Sequence, residues 1–311
     1  MITETANAAS RRALLALADS SRLDHFVRRH GPRLGATRFV AGETLDQLVP
    51  VLRRLEEQGL LTNTTLLGEG VQTAEESRAV ADSYRDVLDR IAAEQLRTNV
   101  ALKLTHLGLD LDEQLAYENA ESLVAHAATL GNFVRIDMEE SQWVDATLRI
   151  YRRLRASGHE NVGTVLQSYL YRSEQDLEAL LDLRPNLRFV KGAYLEPPEV
   201  AYPEKADVDA ALVRLVERSL RDGGFTAVAT HDETIIEHVV AFVEREGIGR
   251  ERFQFQMLFG VRPQLQLDLV RRGFDVLVAT PFGPDWYRYL MRRLAERPAN
   301  TFFFLRNLVR G

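Results

Sequence analysis

Eight short runs dominated by β-branched, aromatic and aliphatic residues recur along the chain: 60–69, 99–108, 132–140, 162–170, 187–195, 226–233, 252–260 and 274–283. Such runs predict strands. Segments with apolar residues three and four apart follow them, at 73–96, 112–130, 141–157, 173–183, 208–223, 234–247, 262–273 and 288–302. That spacing predicts amphipathic helices. Thr73, three residues before Glu76, is a capping-box start. Gly131, Gly158, Gly223, Gly247 and Gly273 stand where helices should stop.

The strand runs begin about 22 to 38 residues apart, the length of a βα unit. Eight units in about 250 residues predict a (β/α)8, TIM-like barrel. A doubly wound sheet is the alternative, but neither GxGxxG nor GxxxxGK[ST] follows any strand run. Residues 1–58 precede the first strand and read as helical. The expected organisation is therefore one domain, with an N-terminal helical segment over 1–58 and a catalytic barrel over 59–311. The segment at 288–302 is its last helix. There Tyr289, Arg292, Arg293 and Glu296 share one face and Leu290 and Leu294 form a neighbouring stripe.

Composition narrows the function classes. The 311 residues are 45% hydrophobic and 27% charged, which suits a globular chain with a sizeable core. The formal charge of −6 argues against a nucleic-acid surface. With no cysteine, disulfides, thiol nucleophiles and thiolate metal sites are excluded. No apolar run approaches the roughly 20 residues of a bilayer span, and the N-terminus reads as a helix rather than a signal peptide. The default expectation is a cytoplasmic location.

In a barrel, chemistry sits at the C-terminal ends of the strands. Those ends carry Glu69, Lys103, Asp137, Gln167, Lys191, Tyr194, Thr230, His231 and Gln256. Lys103, Asp137, Gln167 and Lys191 interrupt hydrophobic runs, and a charge pointing into a barrel needs a partner or ligand. Lys103 and Asp137 lie on successive strands and are expected to pair, either at a ligand site or merely as a cap on the core. Seven histidines without HxH or HExxH leave no expected metal site. Lys103 or Lys191 offers a Schiff-base lyase chemistry as an alternative. Lys103, Arg188, Lys191, Arg292 and Arg293 together predict an anionic ligand, more than one small carboxylate.

The segments VALKLTHLG, RIDMEES, VLQSYL, RFVKGAY, ATHDE, FQMLFG and YLMRRLAERPANTF occur in an order and spacing that resemble proline dehydrogenase, over about residues 37–307. The resemblance is to the monofunctional bacterial type. It implies an FAD-dependent barrel enzyme that oxidises L-proline to Δ1-pyrroline-5-carboxylate, the first step of proline catabolism, by hydride transfer to flavin N5. It further implies that Arg292, Arg293 and Lys103 hold the proline carboxylate, with Asp137 positioning Lys103. Tyr289, Leu258 and Ala193 would pack near the pyrrolidine ring. Gln167 and Arg188 would meet the flavin ring, and Lys191, Gly192, Tyr194, Thr230, His231 and Glu296 the rest of the cofactor. Glu69 and Arg292 would form a gating ion pair.

Where some members carry a tyrosine on the last strand, this chain aligns Ala279, which implies a roomier pocket. The resemblance also implies a quinone acceptor, peripheral attachment to the inner face of the cell membrane, and a separate pyrroline-5-carboxylate dehydrogenase as a possible partner. Arg11, Arg12, Arg22, Arg28, Arg29 and Arg33 offer a basic N-terminal face for such attachment, or a solvated helix face. A Schiff-base lyase and a non-catalytic imino-acid-binding barrel stay open as alternatives.

Overall fold

The computed structural model describes residues 39–68, 70–222, 224–287 and 289–291. Eight parallel strands close into a barrel in chain order: β1 (Leu61–Leu66), β2 (Asn99–Leu102), β3 (Val134–Ile136), β4 (Val162–Gln167), β5 (Asn186–Val190), β6 (Phe225–Ala229), β7 (Phe253–Leu258) and β8 (Val276–Phe282). Closure is made by β1 against β8, with Leu61 opposite Leu277 and Leu66 opposite Phe282. Parallel neighbours need crossovers, and the helical segments supply them. These are α1 (Leu45–Glu57), ahead of β1, then α2 (Ala74–Ala93), α3 (Glu113–Thr129), α4 (Val144–Ala156), α5 (Ser173–Leu180), α6 (Lys205–Asp222), α7 (Glu233–Glu246) and α8 (Pro263–Arg271). The expected (β/α)8 architecture is thus the observed one.

Local signals act where the sequence places them. Thr73 Oγ1 accepts the Glu76 amide at 3.1 Å, while the Glu76 carboxylate accepts from the amide of Gln72, one residue before the cap. This satisfies one of the N–H groups that a helix start leaves without partners and ties down the residue ahead of the cap. At the other end of α7, Gly247 takes φ +64 and its amide closes the last turn onto Val243 and Glu244. Residues 39–44 depart from the expected all-helical lead-in. They run as turn and irregular chain along the end of β8, with the Ala41 amide on Pro281 O at 2.8 Å and the Gly283 amide on Gly42 O at 2.9 Å.

The main core lies between barrel and helices, where fully buried Leu48, Leu52, Leu88, Leu123, Val216 and Phe242 face the sheet. Burying each such side chain contributes about 1.5–3 kcal/mol. A second apolar cluster sits at the C-terminal end of the barrel. In it Trp286, Tyr287, Leu290 and Met291 pack on Phe39, Val40 and Leu67, and the Trp286 indole N–H donates to Glu43 at 2.8 Å. Leu290, expected on the apolar stripe of the last helix, is fully buried there. Leu294 lies outside the described residues.

The barrel interior holds several buried polar side chains, Asn63, Arg135, Arg188 and Gln256 among them. Asn63 and Asn99 join side chains at 2.6 Å, and the buried Arg135 guanidinium donates to the carbonyls of Thr164 and Asn186. Gly163 makes this possible, since a Cβ there would collide with the Arg135 guanidinium and the Asn186 carbonyl. Burial and the nearby Arg188 push Arg135 down to about 9, so it remains a cation at neutral pH. The hydrophobic pattern did not single out Arg135.

Candidate active site

At the strand ends the chain leaves a cavity of about 750 Å³, within the range of small-molecule sites. It brings together Lys103, Asp137, Gln167, Arg188, Lys191, Gly192, Ala193, Tyr194, Thr230, His231 and Leu258, all singled out from the sequence, and Ala279 as well. Lys103, Asp137 and Lys191 do not interrupt strands; they directly follow Leu102, Ile136 and Val190, where β2, β3 and β5 stop. They therefore stand at the mouth, where water and a ligand can solvate them. Tyr289 is half-buried against the second apolar cluster. Glu69, Arg292, Arg293 and Glu296 lie outside the described residues.

The most buried charge in the site is Arg188, 9% exposed, on β5. Its Nη1 donates to Asp137 Oδ1 at 2.7 Å, its Nε to Gln256 Oε1 at 2.5 Å, and its Nη2 to Asn63 Oδ1 at 3.4 Å. Burial pushes the Arg188 guanidinium down, and the Asp137 carboxylate pulls it back up. The sequence placed Asp137 beside Lys103; its ion pair in the structure is with Arg188, two strands away. The reason is the stagger of a closed barrel. Side chains of alternate strands share a layer, so the ends of β1, β3, β5 and β7 converge.

Around the mouth the other cations are also tied. Lys191 Nζ lies 2.5 Å from Asp209 and 3.3 Å from Asp232, and Lys205 joins the same two carboxylates. Arg262 pairs with Glu233 and donates to the His231 carbonyl at 2.9 Å, which holds it at φ +51 in the left-handed region. The His231 Nε2 accepts the Leu258 amide at 2.9 Å, so in the neutral ring the proton sits on Nδ1. Among the described lining residues, five cations (Lys103, Arg188, Lys191, Lys205, Arg262) face three carboxylates (Asp137, Asp232, Glu233). Asp209 adds a fourth carboxylate behind Lys191 and Lys205; the lining itself carries more cations than carboxylates, which favours an anionic ligand.

Two features show where a ligand would fit. Gln167 is 2% exposed and lines the cavity, yet among the described residues its Oε1 accepts no hydrogen bond. A buried acceptor left unmade costs about 1–3 kcal/mol, and a ligand N–H would recover it. Gly192 takes φ +115 and packs so closely on the Tyr169 ring that a Cβ would overlap it. The chain after β5 can follow the cavity wall only because no side chain stands there.

Comparison with known proteins decides the family. The model described as "Proline dehydrogenase" matches residues 48–306. The chain belongs to the proline dehydrogenase family. "Proline dehydrogenase" of Deinococcus radiodurans is 43% identical over 305 residues, covering 97% of this chain and 98% of that protein. "Proline dehydrogenase 1" of Bacillus subtilis (strain 168) is 41% identical over 300 residues, covering 96% and 99%. The "Bifunctional protein PutA" of Escherichia coli (strain K12) is 26% identical, and the match spans 87% of this chain but 24% of that one. Among solved structures, proline utilization A of Bdellovibrio bacteriovorus, inactivated by N-propargylglycine, shares the fold with a TM-score of 0.82 at 22% identity. It covers 93% of this chain and 36% of that chain.

Against this proline dehydrogenase framework, the sequence reading left out several residues that the structure puts at the site. Asp232 follows His231 directly and could have been found from the strand end. Lys205 and Asp209 begin α6, far from any strand run, and only the fold brings them to Lys191. Glu139, two residues past Asp137, is buried and accepts from the Thr105 amide at 3.0 Å and hydroxyl at 2.5 Å. This pins the turn that carries Lys103. Burial raises Glu139 to about 7, against the opposing pull of Lys103.

Proposed function

We propose that the chain oxidises L-proline to Δ1-pyrroline-5-carboxylate with FAD as its cofactor and a quinone as electron acceptor. The observation that carries this reading is the mouth of the barrel. A net-cationic cavity of about 750 Å³ there combines a buried Arg188, an unmet Gln167 acceptor and a side-chain-free wall at Gly192. These fit a flat, hydrogen-bonding, phosphorylated group. Gln167 would accept from a ring N–H, Arg188 would donate to ring acceptors, and the wall formed by Lys191, Gly192, Thr230 and His231 would hold the remainder. When bound, FAD supplies the redox chemistry, taking up the hydride that leaves proline Cδ.

The protein's own part is orientation and charge. Lys103, at the end of β2, presents an ammonium to the substrate carboxylate. The family resemblance adds Arg292 and Arg293 to that clamp, and a planar guanidinium suits a carboxylate. Clamping one end of a rigid ring sets the position of Cδ, which is a proximity effect. Leu258, Met257 and Ala279 supply apolar wall for the ring, and the small Ala279 leaves space beside it. Loss of hydride needs proline as the neutral amine, whose lone pair closes the C=N bond while the nitrogen's proton passes to solvent. Asp137, Asp232 and Glu233 are paired with Arg188, Lys191 and Arg262, so no carboxylate among the described lining residues is assigned as the base.

The quinone, a peripheral position on the inner face of the membrane and a separate dehydrogenase for the product rest on the family resemblance alone. Among the described residues no helix is long and apolar enough to cross a membrane. The visible absorption spectrum, before and after anaerobic addition of L-proline, tests the central reading. Flavin bands that bleach with L-proline and not with D-proline or glutamate support it. A colourless protein that stays unresponsive after reconstitution with FAD removes it.

A further inference from the structure

Gln256 and Asn63 have no role in substrate or cofactor recognition as described above, yet both end on the same guanidinium. Arg188 has five N–H donors. Among the described residues three of them are used, by Asp137, Gln256 and Asn63, which come from just past β3, from β7 and from β1. The amide of Asn63 is itself oriented, because its Nδ2 donates to Asn99 Oδ1 at 2.6 Å. Its Oδ1 is therefore the atom left to face Arg188. Gln256 is 4% exposed, so its carbonyl has little water to turn to. Three acceptors from three directions fix both the position and the plane of a group that otherwise rotates about several bonds. Two N–H donors then remain for a bound group in the cavity that Arg188 lines.

We infer that Gln256 and Asn63 are positioning residues that lock the Arg188 guanidinium plane toward the cofactor ring. Asp137 pairs with the guanidinium and favours its charged form, and the two neutral amides set its orientation without adding opposing charge. A cation held at a fixed orientation beside a redox ring favours the ring's reduced, more negative state; a cation free to swing away does so less. The inference rests on the proposed flavin reading for its consequence, but the lock itself is a property of the chain alone.

The experiment separates the two. In the purified full chain, the Arg188 Nε–H resonance is identified by its loss in Arg188→Lys, and its exchange with solvent is measured without added cofactor. Gln256→Leu removes the acceptor at similar bulk and is expected to speed that exchange at least tenfold. Gln256→Glu keeps an acceptor there and is expected to preserve the protection. Unchanged exchange in Gln256→Leu, or equal loss in both variants, overturns the lock whether or not flavin binds. In the flavin-loaded protein, Gln256→Leu is expected to shift the midpoint potential of the flavin to a more negative value. In the Arg188→Lys background, which replaces the fork, the same substitution should add no further shift. A shift of equal size in both backgrounds, or none in either, overturns the inference. A parent protein that takes up no flavin removes the functional reading and leaves the exchange measurement to decide the lock.

Discussion

Asp137, just past β3, and Arg188, on β5, form a 2.7 Å ion pair across two strands at the mouth of the barrel, with the guanidinium side chain 11% and the carboxylate 25% exposed. This pair decides how a buried cation is tolerated next to a ligand cavity. Removing one partner of a buried pair leaves an uncompensated charge, whereas an isosteric amide keeps an acceptor. Asp137→Ala is expected to lower the unfolding free energy by about 3 kcal/mol. Asp137→Asn should cost about 1–2 kcal/mol. Urea denaturation of the two variants beside the parent checks the order; equal costs would mean that the lost charge matters more than the lost acceptor.

Lys103 carries a different load. If it holds the proline carboxylate, Lys103→Met removes a charge-assisted contact, a change of roughly 1.5–3 kcal/mol. The KM for proline should then rise at least tenfold, with flavin content unchanged. Steady-state kinetics with the flavin-to-protein ratio measured in parallel gives the answer, and an unaltered KM would take Lys103 out of the substrate clamp.

Glu139 makes stability depend on pH. Its carboxyl is raised from the usual 4.5 to about 7, first by burial. Between those values the folded chain holds a proton that the unfolded chain has released. Its contribution therefore becomes less favourable as pH rises from about 4.5 to 7, and the full cost is present above 7. Glu139→Gln removes this dependence while keeping an oxygen for the Thr105 donors. Relative to the parent, the variant should gain stability on going from pH 5 to pH 8, read from denaturation midpoints. A pH-independent difference would contradict the assignment.

Gly192 tests the cavity wall. At φ +115 a side chain is strained, and a Cβ would overlap the Tyr169 ring. Gly192→Ala should cost about 1–3 kcal/mol in thermal or urea unfolding and reduce flavin retention on gel filtration. Full stability together with full flavin content would show that the wall yields easily.

How much of this could be read without the fold depends on the range of the interaction. The barrel was legible because its signals are local: alternation and apolar spacing are properties of a few consecutive residues, and eight repeats of one βα unit admit few closures. The caps at Thr73 and Gly247 were legible for the same reason. Strand-end positions such as Gln167, Lys191 and His231 were also visible, since a polar residue at the end of a hydrophobic run stands out against its neighbours.

Partner choice was not legible. Asp137 was matched to the adjacent strand, yet the stagger of the closed barrel brings it to Arg188 on the next but one. Asn63 and Asn99 read as ordinary strand residues, and Gln256 only as a polar strand end, until closure brings Asn63 and Gln256 onto Arg188; Asp209 reaches Lys191 only through the course of α6. The sequence by itself determined the elements, their order and the chemical types at the strand ends, because hydrophobic periodicity is written in adjacent residues. Tertiary structure alone decided which charge meets which, because that depends on the shear of eight strands closing together, a quantity no single segment contains.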